Sequence, residues 1–142
     1  MFKVLNDRVL TFQIKGAKRT KGNLYVSDKS KGFRDYLDIA PVWIAQIGPY
    51  CDLQDEVEPG QVALIQDHFE LEEIPGVWHE YENDPRFSLL KKRAKEVDGD
   101  IVTSIMSESA FIAFIDLCEP EDAEHTISFG DGQLREFGVC NG

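Results

Sequence analysis

The sequence predicts an all-β chain that carries one short helix, and three observations lead there. Residues 8 to 15, RVLTFQIK, place Val9, Thr11, Gln13 and Lys15 on one face and Leu10, Phe12 and Ile14 on the other, the period of a half-buried strand. Residues 110 to 115, AFIAFI, are apolar on both faces, as a strand in a core or an interface is. Gly130-Asp131-Gly132 separates two strand-like runs, Thr126 to Phe129 and Gln133 to Phe137, and signals a hairpin.

Size and composition are those of one globular domain. A chain of 142 residues can bury about two-thirds of its unfolded surface without metals or disulfides. Forty-two per cent of the residues are hydrophobic and 29% charged, a globular balance. No apolar run approaches the roughly 18 residues that span a bilayer, and the N-terminal residues lack a signal-type apolar stretch. The expectation is a soluble, cytoplasmic protein with no membrane partner. The net charge of -11 opposes a nucleic-acid binder, yet it is unevenly spread. Residues 1 to 34 hold nine Lys and Arg against two Asp, which leaves -18 on the other 108 residues. Cys51, Cys118 and Cys140 are an odd number without C-x-x-C spacing and read as reduced thiols.

In chain order, the first strand ends at Gly16, and Lys21 to Gly32, KGNLYVSDKSKG, follows. This stretch encloses the apolar triplet Leu24, Tyr25 and Val26 in a lysine-rich surround. Too polar to offset its own ordering entropy, it predicts a mobile arm with one sticky point. An irregular return leads to Pro41–Gly48, PVWIAQIG, a strand whose leading proline suits an edge or first position. Only eleven residues separate Gly48 from Gly60, the turn residue ahead of a strand through Ile65. Residues 67 to 84 hold seven acids and no Lys or Arg, and PRFSLLKKRAKE then carries five bases. Pro85 in the first turn, the spacing of Phe87, Leu90 and Ala94, and late bases predict a helix there, on a solvated insertion or on a second contact surface. Residues 100 to 105, DIVTSI, form a strand, and the 27 residues from Asp116, with seven acids and the single Arg135, add the hairpin.

Three ordered stretches resemble the GroES-type co-chaperonins, the chaperonin-10 family: Leu5-Asn6-Asp7-Arg8-Val9-Leu10, the glycine-led triplet of the arm, and Ile105-Met106-Ser107-Glu108-Ser109. The resemblance covers about residues 3 to 66 and 100 to 116. It implies an irregular small β-barrel over residues 1–116, with a mobile loop at about 17–32, a shortened roof loop at 49–59, an insertion at about 67–99, and a C-terminal extension at 117–142. It also implies a heptameric ring that caps an ATP-bound chaperonin of the GroEL type and encloses non-native substrate protein. Gly22, Asn23, Leu24, Tyr25 and Val26 would dock on that partner. Asn23 stands where the family has a second glycine, and Tyr25 is bulkier than the family's aliphatic residue. The family's last strand pairs with the first strand of the next subunit, which implies an interface at Val4, Leu5, Arg8, Phe111, Ile112, Phe114 and Ile115. Such a lid is no enzyme and needs no cofactor, since the ATP belongs to the chaperonin. The short roof, acidic insertion and tail are what a divergent member encoded by a bacteriophage would show.

No catalytic or metal pattern stands out against this reading. His68, His79 and His125 lie far apart, without zinc-site spacing, and phosphate-binding glycine loops and deaminase motifs are missing. Two rivals come from other classes. One is an OB-like module holding single-stranded nucleic acid on Trp43, Phe33 and the basic N-terminal third; the other is a ring-forming structural protein without a chaperonin partner.

Overall fold

In the computed structural model, residues 2–15, 39–66, 73–128 and 136–140 are described, and the statements below concern these. Eight strands and one α-helix form two antiparallel sheets. The strands are β1 (Arg8–Lys15), β2 (Ile39–Ile47), β3 (Val62–Gln66), β4 (Asp100–Ser107), β5 (Ala113–Ile115), β6 (Leu117–Cys118), β7 (His125–Ser128) and β8 (Glu136–Val139), and the helix is α1 (Ser88–Glu96). Five strands lie in the order β4-β1-β2-β3-β5, and three in the order β6-β8-β7. The chain is thus mostly β.

The five-stranded sheet is open. Its ends are β4 and β5, and no pairing joins them, so the expected barrel is not closed among the described residues. Two features account for this. Strand β5 has three residues and pairs only with β3, and the outer side of β4 is taken by the Glu73–Ser104 bridge and by the 2.7 Å bond from Ile74 N to Thr103 O.

Strand β1 departs from its half-buried expectation, because every residue from Val9 to Ile14 is buried. Leu10, Phe12 and Ile14 enter one apolar cluster with Trp43, Ala45, Val62 and Leu64; Val9 enters a second, on the opposite face, with Val42, Ile44, Ala63, Ile65 and Met106. Between the Leu10–Gln46 and Thr11–Ile44 pairs the register slips, and Ala45 is the extra residue of a bulge. Strand β2 begins two residues earlier than predicted, so Pro41 lies inside it. Its missing N–H is harmless there, because β1 pairs only with residues 43 to 47 and Pro41 has a ladder partner, Leu64, on one side.

The cover over the first face comes from the insertion, which is therefore not a solvated loop. Val77, Phe87, Leu90, Ala94 and Val97 are buried in the same cluster as Phe12. The Phe12 ring meets Trp78, Tyr81 and Phe87 edge to face at centroid distances of 5.0, 5.1 and 5.4 Å, a geometry that adds to burial itself. The helix starts as the sequence predicts. A 3-10 turn, Pro85–Phe87, precedes it, and the Asp84 carboxylate accepts the Arg86 N–H at 2.9 Å and the Arg86 guanidinium at 2.7 Å. The Gln46 amide ties the insertion to the N-terminal segment: its oxygen accepts the Val4 N–H at 2.8 Å, and its nitrogen donates to Phe2 O and Tyr81 Oη.

The C-terminal strands complete this cover. Strands β7 and β8 form the predicted hairpin pair, with Ile127 opposite Phe137, and β6 adds a third strand that the sequence pattern did not disclose. Phe137 is fully buried, 5.9 Å from the Trp43 ring, and the Arg93 guanidinium lies 4.6 Å over it. Arg93 also pairs with Glu96 at 3.1 Å, while its buried Nε and Nη2 have no hydrogen-bond partner among the described residues. The Phe137 face thus supplies part of what the buried cation lacks.

Two outcomes follow from this packing. Phe137→Ala is expected to lower stability by about 3 to 5 kcal/mol, as buried aromatic truncations do, read from denaturant unfolding. The Arg86 side chain and N–H, by their hydrogen bonds, hold the Asp84 carboxyl below its usual range. A depressed folded-state value stabilises above the unfolded value and ceases to do so as pH falls through the folded one. The stability gap between the parent chain and Asp84→Asn is therefore expected to close as pH drops from about 5 to about 2, measured by thermal melts across that range.

Candidate interaction surface

Two sequence stretches that carry the resemblance meet in space. Arg8, the first residue of β1, is the ladder partner of Ser107, the last of β4. Residues 2 to 7 therefore enter, and residues 108 to 112 leave, at the same end of one strand pair, and the latter lead into β5 at the far edge of the sheet. A short 3-10 turn, Glu108–Ala110, follows β4, started by Ser107 Oγ accepting the Ser109 N–H at 3.2 Å. Its Glu108 carboxylate reaches across to accept Asp52 N at 2.9 Å and Leu53 N at 3.2 Å. The loop after β2 is thereby fixed to the turn after β4 by hydrogen bonds to a charged acceptor, which are stronger than neutral ones.

Beside this lies a close backbone approach. Gly48 N donates to Arg8 O at 2.8 Å and Tyr50 N to Asn6 O at 2.9 Å. A Cβ on Gly48 would stand 2.2 Å from Asn6 O, 2.8 Å from Arg8 O and 2.9 Å from Leu5 O, all backbone atoms. Asn6 itself has φ of 57°, a left-handed conformation that asparagine tolerates. This turn projects Leu5 and Tyr50 into solvent, 59% and 76% exposed.

The expected interface residues separate into two groups. Val4 is buried in its own chain, while Leu5 is exposed and Arg8 is exposed in a 3.6 Å pair with Asp7. Residues 2 to 5 form no strand. On the other side, Phe111 and Ile115 are half-buried, Ile112 is 55% exposed and Phe114 37%. The AFIAFI run is therefore not a doubly covered strand within the chain: β5 is the last strand of the sheet, and Phe111 and Phe114 pack on each other at 5.8 Å. Gly22, Asn23, Leu24, Tyr25 and Val26 lie outside the described residues.

Sequence reasoning missed Tyr50, whose exposure follows from the Gly48 contact, and Glu108 as the link between loops. A shallow groove of about 440 Å³ beside α1 is lined by Glu82 and Asp84 as well as Lys91, Lys92 and Lys95, so it presents no field of one sign. Among the described residues no group of three or more His, Cys, Asp or Glu is placed to hold a metal ion, and no helix is long and apolar enough to cross a membrane.

Gly48→Ala is expected to cost about 3 kcal/mol, the upper end for overpacking, because the neighbours are backbone atoms with no rotamer to change. At this chain length that lowers the melting temperature by about 10 °C, which calorimetry would read.

The chain matches no protein-family model and no curated protein.

Proposed function

We propose that the chain is a co-chaperonin of the GroES type: a subunit of a heptameric lid that caps a chaperonin and encloses a folding substrate. The observation that carries this reading is the Arg8–Ser107 pairing. Two stretches about a hundred residues apart, both resembling one family, are ladder partners and place two segments at the same end.

Each segment has the character of half an interface. Residues 112 to 115 offer an apolar edge strand with its outer side unpaired among the described residues, and Leu5 stands exposed on the N-terminal segment. An edge of this kind is a template for a strand from another chain. In the proposed ring, residues 2 to 5 of one subunit add to β5 of the next. Such a contact covers Leu5, Ile112 and Phe114, three of the four large hydrophobic residues exposed among the described residues.

The ring explains how weak arms suffice. Docking Leu24, Tyr25 and Val26 gains about 1.5 to 3 kcal/mol for each buried side chain, while ordering an arm of ten residues costs roughly 1 to 2 kcal/mol per residue for the backbone. One arm alone binds feebly. Seven arms on one ring act at an effective concentration in the millimolar range, and they release together when the chaperonin changes state. The lid performs no chemistry in this reading; ATP is bound and spent by the partner.

The test is co-elution of the purified chain with a GroEL-type chaperonin on a sizing column, with ATP, with ADP and without nucleotide, alongside native mass spectrometry of the chain alone. Nucleotide-dependent co-elution, lost in Leu24→Asp, is the expected result. A chain that forms no ring and elutes apart from the chaperonin under all three conditions would overturn the reading.

A further inference from the structure

Cys118 and Cys140 lie on neighbouring strands of the C-terminal sheet. Leu117 pairs with Val139 and Cys118 with Gly138, and the 2.9 Å bond from Cys140 N to Asp116 O continues the ladder by one step. Because side chains alternate along a strand, Cys118 and Cys140 point to the same face as diagonal neighbours. Gly138 stands between them without a side chain. A Cβ there would lie 3.1 Å from the Cys118 sulfur, so this thiol rests over the bare backbone of the strand that leads to Cys140.

The two thiols interact. The hydrogen bond to Cys140 is the main reason that the Cys118 thiol is pushed up to about 11, followed by burial, the Cys140 charge, and Asp122 and Glu119. The Cys118 thiol therefore holds its proton more firmly than an ordinary thiol. Both sulfurs belong to half-exposed residues, and Cys140 lines an open pocket of about 270 Å³ together with Phe114, Ile115 and Asp116. Cys51 differs on each count: it is buried, and burial and the nearby Glu108 raise its thiol.

We propose that Cys118 and Cys140 are a reversible dithiol–disulfide site that staples β6 to the end of β8, with a small-molecule disulfide such as oxidised glutathione as co-reactant. The Cys140 thiolate attacks one sulfur of oxidised glutathione. A bond forms between the two sulfurs, the glutathione disulfide breaks, and one glutathione leaves as a thiolate that takes up a proton. The Cys118 thiol, losing its proton, then attacks the Cys140 sulfur and expels the second glutathione, which is protonated in turn. Two protein thiols are oxidised and one disulfide is reduced. A disulfide needs Cβ atoms about 4 Å apart, closer than diagonal neighbours rest, so the end of β8 must shift toward β6. Among the described residues, the Cys140 N–H bond to Asp116 and the pairing of Val139 with Leu117 and His125 oppose that shift, and Cys140 itself lies one residue beyond the β7 pairing. A bridge formed this way is strained and therefore readily reduced. The chemistry needs neither a ring nor a chaperonin.

The experiment treats the full chain with oxidised glutathione at mildly alkaline pH, weighs the intact chain, then alkylates free thiols in denaturant and maps its peptides. The expected result is a loss of two hydrogens from the intact mass, a Cys118–Cys140 cross-linked peptide, alkylation confined to Cys51, and full reversal by dithiothreitol. Cys118→Ser is expected to trap one glutathione on Cys140, and Cys140→Ser to form no internal cross-link. Three results would overturn the proposal: all three cysteines still alkylated, a mixed disulfide in the parent chain that never resolves, or a cross-link that involves Cys51 or a second chain.

Discussion

Strand β1 has no exposed side between Val9 and Ile14, and the fold is organised by the need to cover it on both faces. Its backbone is satisfied by β2 and β4, but its side chains demand two apolar surfaces at once. One surface is made by the even residues of β2, the odd residues of β3 and the loop that holds Cys51 and Val57. The other is built from the insertion and the C-terminal strands, through Phe87, Leu90, Ala94 and Phe137. What looks like added material on a small β fold is half of its core.

The same constraint explains the polar contacts. Gln46 sits beside the bulge at Ala45, where the slip in register presents it on the Leu10 face, and its amide ties together three segments far apart in sequence. Arg93 is drawn under the C-terminal sheet with its helix, and its charge is met by Glu96 and by the face of Phe137. A buried cation of this kind is tolerated because ring and carboxylate arrive with the elements that bury it.

Much of the local structure was legible in the sequence. The alternation in RVLTFQIK marked β1, Pro85 with the Phe87, Leu90 and Ala94 spacing marked α1, and the Gly-Asp-Gly signal marked the pairing of β7 with β8. What escaped was tertiary in origin. Thr11 and Gln13 read as a solvent face because hydropathy cannot register a second covering layer, yet both are buried. Strand β6 has two residues and no period to detect. The insertion read as solvated because acids dominate its first half, while its burial is decided by Val77, Phe87 and Leu90. Of the candidate interaction residues, Leu5, Ile112 and Phe114 are exposed as an interface reading requires, and Val4 is committed to the chain's own interior.

The contact between Trp43 and Phe137 joins positions ninety-four residues apart, so one face of the core closes only after the chain has bridged that separation. Contacts of such length are slow to form, because loop entropy is lost before the contact returns any stability. Until they form, Trp43, Leu90 and the Phe12 aromatics present an uncovered apolar face beside strands that are already paired. An intermediate of that shape is prone to self-association. In the reading proposed above, a protein that shelters other chains while they fold passes through the vulnerability it guards against.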